Sequence, residues 1–233
     1  MKTEKIDLVD FHSHILPKAD HGSSSMEITE KQLELASMYS VNRIIATPHF
    51  YPHRHTLPSF KEKILNSVDI LKNRIVTYKP TVKLGYEVLL CEGIEKFPGI
   101  SELTLKGSDY ILIELPFSDF REEYCISCQK LQDLGMKVIL AHVDRYPKEN
   151  IDLMLQYGIN RFQVNASAFD RLFVPKHLYE YCDNGYVVAL GSDIHGDKQS
   201  YYKSFNKAKS KLSMYIDSIK QRSDEIWNTV SEI

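Results

Sequence analysis

The sequence predicts an α/β fold in which strands and helices alternate around a barrel. Seven short apolar, β-rich runs alternate with amphipathic segments, a pattern typical of parallel β/α architecture. Two runs, at 111–113 and 138–141, are continuously apolar, which indicates strands buried on both faces. Six of the seven runs end in metal-ligand side chains. A barrel gathers its strand ends at one mouth, whereas a flavodoxin-like sheet would gather ligands at one switch point, so we favour the barrel.

The predicted elements follow one another in regular order. Strands are expected at 6–12, 43–49, 82–89, 110–117, 137–143, 161–165 and 187–193. Amphipathic helices are expected between them at 27–39, 59–75, 121–134, 150–157 and 176–184. Residues 199–233 are predicted to form closing helices with lysines on their outer faces. We expect residues 1–233 to form a single barrel domain, because a chain with 43% hydrophobic residues can bury one full core.

Charge and the N-terminal sequence limit the possible partners and location. The 29 basic and 31 acidic residues are interspersed and leave a formal charge of -2, which disfavours binding to nucleic acid or to an anionic membrane. The first five residues are polar and lead directly into a strand, so no secretory signal is expected. No apolar stretch approaches the roughly 20 residues that span a bilayer. These features predict a cytoplasmic protein.

The four cysteines do not indicate cysteine chemistry. Cys125 and Cys128 form a C-x-x-C pair, but it lies in a helix-like segment without a second such pair. Two ordinary helical cysteines in a reducing compartment explain the pair better than a redox or zinc site. A cysteine-dependent phosphatase needs a thiolate beside a phosphate-binding arginine, and no cysteine precedes an arginine within seven positions.

Eight side chains at the predicted strand ends are candidate metal ligands. Each would need a hydrogen-bond partner if it were buried without a metal. Mixed nitrogen and oxygen ligands favour manganese, iron or zinc over calcium, and a carboxylate can bridge two ions. The set is large enough for two or three divalent ions whose identity stays open. The eight are His12, His14, His49, Glu87, Glu114, His142, Asp193 and His195.

The motifs that contain these residues resemble those of the polymerase and histidinol phosphatase (PHP) superfamily. They are most similar to its bacterial protein-tyrosine phosphatases that are encoded with capsule and exopolysaccharide genes. The resemblance runs nearly end to end, and the motifs stand in the family's order: DFHSHILPKADHG, RIIATPHFYPH, LGYEVLL, ILIELPF, VILAHVDRYP, FQVNASAF and LGSDIHG. It implies a distorted (β/α)7 TIM-like barrel with a trinuclear metal site, most typically containing manganese, at the C-terminal strand ends.

The resemblance also implies how the ligands are divided among the ions. One ion is expected among His12, His14, Glu87 and Asp193. Glu87 is expected to bridge to a second ion held by Glu114 and His142. A third is expected among His21, His49 and His195. His21 occupies a position where this branch usually has aspartate, so His21 is the expected ligand and Asp20 the alternative.

The implied activity is hydrolysis of phosphotyrosine by a metal-activated hydroxide, without a covalent enzyme intermediate. The expected catalytic residues are His142, Glu87, Asp193 and Arg145, of which Arg145 would bind the phosphate through its bidentate guanidinium. His53, Arg54 and Lys198 are candidate substrate-binding residues, although His53 and Arg54 could equally lie in a solvated loop. Lys198 stands where an arginine is expected.

The expected substrate is the phosphotyrosine-bearing tail of a bacterial tyrosine kinase that controls polysaccharide synthesis. One alternative is a phosphatase for histidinol phosphate or another small phosphomonoester. Another is a metal-loaded PHP binding module without catalysis. The near-complete ligand set disfavours the binding module, and the shape of the mouth would separate the two enzymes.

Overall fold

A computed structural model describes residues 7–74, 80–117 and 119–233 of the chain. The strands of this part are β1 Val9–Ser13, β2 Arg43–Ala46, β3 His49–Phe50, β4 Thr81–Leu84, β5 Glu87–Leu89, β6 Tyr110–Glu114, β7 Lys137–Leu140, β8 Phe162–Asn165 and β9 Val187–Gly191. Its α-helices are α1 Met26–Met38, α2 Leu57–Arg74, α3 Glu122–Asp133, α4 Lys148–Gln156, α5 Lys176–Asp183, α6 Ser200–Lys211 and α7 Ile216–Thr229. Short 3-10 turns lie between several of these elements.

All nine strands pair in parallel, and their order curls the sheet until its two ends meet. The order is β3-β5-β6-β7-β8-β9-β1-β2-β4. β2 and β3 are the two parts of one interrupted strand, and β4 and β5 are the two parts of another. The β2 and β4 pair and the β3 and β5 pair are therefore successive parts of one ladder. With those two segments counted once each, the nine strands correspond to the seven that the sequence predicts.

Two local features cause the interruptions. Pro48 has no backbone N–H and cannot continue the ladder of β2. Gly85 lies where a Cβ atom would come within 2.4 Å of the Leu105 side chain, so only glycine fits without rearrangement. Hydrogen bonds from Gly85 N to Ala46 O (2.8 Å) and from Glu87 N to Pro48 O (3.2 Å) maintain the pairing across the break. These breaks immediately precede His49 and Glu87.

Alternate residues of the strands face two separate apolar layers, as the period of two in a strand requires. The inner layer fills the barrel, and α7 contributes Ile226, Trp227 and Val230 to it. The outer layer packs against the surrounding helices. Helix α7 closes the N-terminal end of the barrel, where Arg43 Nη1 donates to Asp224 Oδ1 (2.7 Å) and Arg222 Nε donates to Val187 O (3.0 Å).

Helices α3 and α4 end in the same way before the next strand begins. Gly135 and Gly158 have φ angles of 88° and 77°, which glycine adopts without steric cost. The following residues, Met136 and Ile159, donate backbone hydrogen bonds to Leu131 O and Met154 O, both at 3.1 Å. This is the Schellman pattern, and it turns the chain directly from each helix into its strand.

The structure confirms the order of strands and helices and changes their limits. The predicted strands 110–117, 137–143 and 187–193 end two or three residues earlier than expected, and in the last two the chain turns at His142 and Asp193 into the site. Residues 6 and 75, the predicted ends of a strand and a helix, lie outside the described residues. Cys125 and Cys128 are buried in α3 as free thiols, and burial raises the pKa of Cys125 to about 11. Among the described helices, none has the length and hydropathy to cross a membrane.

Candidate metal centre

The predicted ligands meet at the C-terminal ends of the strands. His12 belongs to β1, and Glu114 ends β6, while His142 follows β7 and Asp193 follows β9. His142 and Asp193 have φ angles of 33° and 51°, a left-handed conformation that is uncommon for residues other than glycine and that clusters at functional sites. The backbone there is turned to direct both side chains into the cluster.

Glu87 lies at the centre and is surrounded by histidines. Its Oε2 atom is 3.2 Å from His12 Nε2, 3.3 Å from His14 Nε2 and 2.8 Å from His49 Nδ1. Its Oε1 atom is 2.9 Å from His142 Nε2. Burial opposes ionisation of Glu87, but the neighbouring histidines hold its pKa well below the usual range. The ionised carboxylate can therefore contact groups on two sides of the cluster, one side through each oxygen.

Glu114 is the second carboxylate of this group. Its two oxygens lie 3.7 Å from His49 Nδ1 and 3.7 Å from His142 Nε2. Burial and the adjacent charge of Glu87 raise the pKa of Glu114 to about 8. Two buried carboxylates at such proximity repel each other unless a proton or a cation lies between them.

A third group forms on the other side of His14. The donor atoms of His14, His49 and His195 lie within 4.8 Å of one another. The ring of His21 is 4.8 Å from the ring of His49 and 4.5 Å from that of His195, measured between centroids. His21 is thus adjacent to this group, although it is exposed and stands at its rim.

Asp20 is held by neighbouring residues rather than directed at this group. Its Oδ2 atom is 2.7 Å from His14 Nδ1 and accepts a hydrogen bond from His49 N at 3.1 Å, while Oδ1 accepts one from Gly22 N at 2.8 Å. Despite its burial, His14 and these bonds hold the pKa of Asp20 well below its usual range. Asp20 therefore orients His14 and His49, and the geometry favours His21 over Asp20 as the ligand.

Acceptors fix the orientation of the histidine rings. His14 Nδ1 faces the Asp20 carboxylate, so it carries the proton. His12 Nδ1 is 3.0 Å from Gln163 Oε1, which also accepts from His142 N at 2.7 Å. With both Nδ1 atoms donating, the Nε2 atoms of His12 and His14 face each other at 3.1 Å. Two lone pairs at this distance require a proton or a metal ion between them.

Asp193 connects the candidate ligands to Arg145. Its Oδ1 atom lies 3.4 Å from His14 Nε2, and its Oδ2 atom accepts a hydrogen bond from Asn165 Nδ2 at 3.2 Å. The same oxygen contacts Arg145 Nη2 in an ion pair. Arg145 is 38% exposed, so its guanidinium is accessible to solvent while it contacts Asp193.

The donor set fits divalent metal ions. Several buried atoms in the cluster make no hydrogen bond within the described residues, namely His49 Nδ1, Glu87 Oε2, His142 Nδ1 and His195 Nε2. Buried polar atoms are ordinarily paired, and imidazole with carboxylate is the ligand type of transition metals. Three groups have metal-binding spacing: His12, His14 and Glu87; His49, Glu87 and Glu114; and His14, His49 and His195. His49 thus contacts the Glu87 and Glu114 pair, a connection absent from the predicted division of the ligands.

The predicted substrate residues are less closely associated with the cluster. His53 and Arg54 are exposed in the loop after β3, and Arg54 lies over the ring of Tyr51 at 5.5 Å. Tyr51 in turn stacks on His49 with centroids 5.1 Å apart. Lys198 is exposed two residues before α6. Their roles stay predictions.

Gln163 and Asn165 end the predicted strand 161–165, and from the sequence alone a role in the site and polar hydrogen bonding in the core explain them equally well. The structure shows that both belong to the network behind the ligands, since Gln163 Nε2 donates to Asn165 Oδ1 at 3.0 Å. The sequence feature that could have identified them is their position at the end of β8, the one predicted strand that does not end in a candidate metal ligand. Asp10 was missed; it is buried and accepts hydrogen bonds from Ser192 N and Ser192 Oγ at 2.7 and 2.6 Å, which join β1 to the turn before Asp193.

Comparisons with known proteins show the family to which the chain belongs. The family model of capsular polysaccharide synthesis proteins CpsB/CapC matches residues 8–223. The chain is similar to a CapC protein of Staphylococcus aureus, with 29% identity over 200 residues that cover 81% of this chain and 77% of that protein. It is also similar to the tyrosine-protein phosphatase CpsB of Streptococcus pneumoniae, with 25% identity over 203 residues, 81% of this chain and 83% of that protein.

Solved structures show the same fold. A chain from the crystal structures of YwqE from Bacillus subtilis and CpsB from Streptococcus pneumoniae, described as unique metal-dependent tyrosine phosphatases, superposes with a TM-score of 0.77 at 18% identity. The alignment covers 97% of this chain and 96% of that chain. An adenine deaminase from Arthrobacter aurescens superposes with a TM-score of 0.54 at 13% identity, covering 94% and 92% of the two chains.

Proposed function

The chain belongs to the CpsB/CapC family of capsular polysaccharide synthesis, and from this premise we propose that it is a metal-dependent phosphatase acting on phosphotyrosine in proteins. The observation that carries the proposal is the cluster of buried, unpaired nitrogen and oxygen atoms around Glu87. Family membership also supports the resemblance that the motifs indicated. The whole cluster lies at the C-terminal strand ends, where barrels of this kind have their active sites.

The proposed cofactor is two or three divalent ions, with manganese the leading candidate. When bound, such ions supply Lewis acidity and a nucleophilic hydroxide at neutral pH. The chain would hold them through the predicted set: His12, His14, His21, His49, Glu87, Glu114, His142, Asp193 and His195. Three acids in this set would neutralise part of the ions' charge, which an all-histidine site could not do.

Arg145 is proposed to bind the phosphate. Its guanidinium already contacts a carboxylate oxygen, that of Asp193, and a phosphate oxygen presents similar acceptor geometry. Asn165 supplies a second hydrogen bond to Asp193, so Asp193 stays held if Arg145 turns to the substrate. The proposed hydrolysis uses no nucleophilic side chain, in keeping with the position of Cys125 and Cys128 in α3, in the outer layer of the barrel.

The physiological substrate is proposed to be the phosphotyrosine-bearing tail of a bacterial tyrosine kinase that regulates capsular or exopolysaccharide synthesis. Family membership and the phosphatase relatives support this choice. A single barrel domain over residues 1–233 and a cytoplasmic location are part of the same proposal.

The test is phosphate release by purified protein loaded with manganese. A phosphotyrosyl peptide and histidinol phosphate are supplied in parallel, with a chelator as control. We expect preference for the peptide and loss of activity on chelation. Preference for the small ester would favour the alternative phosphatase, and inactivity on both with metal bound would contradict the proposal.

The site assignment is tested by His142→Ala and Arg145→Ala. Each is expected to reduce hydrolysis by more than about 100-fold, because each removes a group held at the reacting centre. Arg171→Ala, which changes an exposed arginine on the loop after β8, is the matched control and should retain activity. Activity retained in both site variants would contradict the assignment.

A further inference from the structure

Phe117 is a large apolar side chain that remains exposed at the edge of the candidate metal centre. It lies three residues beyond Glu114, in the loop that follows β6, and 67% of it is accessible to solvent. A single exposed apolar residue is common on protein surfaces. What distinguishes Phe117 is its position, because its ring lies 6.2 Å from the ring of His142 at an interplanar angle of 13°.

Phe117, Tyr146 and His142 form a group of three mutually adjacent rings. The centroid of Phe117 is 5.7 Å from that of Tyr146, and Tyr146 lies 5.5 Å from His142. The Tyr146 hydroxyl accepts a hydrogen bond from Leu115 N at 3.0 Å and donates one to Leu115 O at 3.1 Å. These bonds fix Tyr146 to the residue that follows β6, so the Phe117 ring packs against a side chain that is held in place.

Tyr51, the aromatic residue on the His49 side of the cluster, is different. Its ring stacks on His49 at 5.1 Å, and the Arg54 guanidinium lies over it at 5.5 Å. The rings of His55 and His53 also lie 5.8 and 6.1 Å from the Tyr51 ring, so four groups surround this ring, which is half-buried. Phe117 retains a large exposed surface, so it offers the more open aromatic surface at this mouth.

We propose that Phe117 determines specificity by packing against the aromatic ring of a phosphotyrosyl substrate. The inference rests on the proposed phosphatase function. A phosphate held beside His142 and Arg145 places the tyrosine ring one ester oxygen away, and that ring must leave the cluster past the side chains that border His142. Phe117 is such a side chain.

The contact selects the leaving group rather than the phosphate. An aromatic pair contributes to binding beyond the burial of its area, and an alkyl phosphomonoester has no ring to make such a pair. The metal ligands and Arg145 hold the phosphate of either substrate in the same way. The predicted effect is therefore confined to ligands that carry the ring.

The test measures binding to the manganese-loaded protein by calorimetry. One ligand is a peptide that carries a non-hydrolysable phosphonate analogue of phosphotyrosine, and the other is inorganic phosphate. We expect Phe117→Leu, which removes the ring but keeps an apolar side chain, to weaken peptide binding about tenfold. Phosphate binding should be unchanged, and Phe117→Tyr should restore peptide binding.

Phe173→Leu is the matched control, because Phe173 is 84% exposed in a different loop, after β8. It should change neither affinity. Equal weakening of peptide and phosphate by Phe117→Leu, or no weakening of either, would overturn the inference. Absence of peptide binding to the unaltered protein would also overturn it.

Measuring hydrolysis of the phosphotyrosyl peptide distinguishes a failure of this inference from a failure of the proposed function. Failure of the unaltered, metal-loaded protein to hydrolyse the phosphotyrosyl peptide would contradict the function itself. Normal hydrolysis with an unchanged ratio of the two affinities in Phe117→Leu would contradict only the role of Phe117.

Discussion

The two ends of the barrel interior both contain buried polar groups, but only one end satisfies them. At the N-terminal end, the Lys83 ammonium donates hydrogen bonds to Trp227 O at 2.8 Å and to Val230 O at 2.7 Å. It also lies 4.4 Å from the centroid of the Trp227 ring, close enough for a cation–π contact. Lys83 thus binds the last carbonyls of α7 and closes the barrel.

At the C-terminal end, the histidines and acids contact one another and leave donor and acceptor atoms unpaired. Here the backbone is also strained, at His142 and Asp193. The inner apolar layer, which includes Phe11, Leu112 and Ile139, separates the two ends. A buried polar group saturated by its neighbours stabilises the fold, whereas buried ligands left unpaired indicate a binding site.

Glu87→Gln should have the largest effect and should act at the C-terminal end alone. Loss of the central carboxylate charge should reduce phosphatase activity and metal affinity by more than about 100-fold. Replacing a residue that only supports a ligand reduces them by up to about 100-fold, and Glu87 is itself a predicted ligand. Activity assays and metal analysis would measure this. In addition, saturating metal should stabilise the unaltered protein by about 2.7 kcal/mol at 100 times its Kd, and Glu87→Gln should gain much less.

Lys83→Met is the control for that experiment, since it should keep the metal-dependent stabilisation. A Glu87→Gln protein with full metal content and activity would remove the distinction between the two ends.

Lys83→Met should itself lower the free energy of unfolding by about 2 kcal/mol, because it leaves two buried carbonyls without a donor. The midpoint of urea unfolding should fall at an unchanged denaturant slope, while kcat/KM should change less than about twofold. Lys106→Met is the matched comparison, because Lys106 also donates to a carbonyl near the C-terminus, Glu232 O, but in an exposed position. Its effect should stay within about 0.5 kcal/mol; equal destabilisation by both variants would contradict the structural role of Lys83.

Gln163→Leu should have the smallest effect of the three substitutions. It tests how far metal affinity at the C-terminal end depends on a residue behind the candidate ligands. Without Gln163 Oε1, the orientation of His12 and the backbone N–H of His142 lose their shared acceptor. Metal affinity should fall about tenfold, as is usual when the partner of a ligating histidine is removed. Competition with a chelating dye would measure it, with the exposed Gln129→Leu as control; unchanged affinity in Gln163→Leu would show that His12 is oriented by other contacts.

Much of the fold was predictable, because apolar strands and amphipathic helices alternate with clear periods. The breaks at Pro48 and Gly85 were not predicted, since the runs 43–49 and 82–89 each read as one strand. The break at Pro48 comes from a missing backbone N–H within a paired strand, whereas the break at Gly85 depends on packing against the distant Leu105. The eight candidate ligands could be selected because each follows an apolar run, whereas the contacts of Asp20 with His14 and of Gln163 with His12 leave no such pattern in the sequence.

The sequence by itself determined the type of fold and placed the candidate ligands at a common end of the barrel, because parallel strands joined by helices place all their C-terminal ends on one side. Tertiary structure decided which ring nitrogens are free, which carboxylate orients a histidine, and which aromatic ring stays exposed. These properties depend on contacts such as that between His12 and Gln163, which are 151 residues apart. Local periodicity carries no information about such pairs, since they form only when the barrel closes.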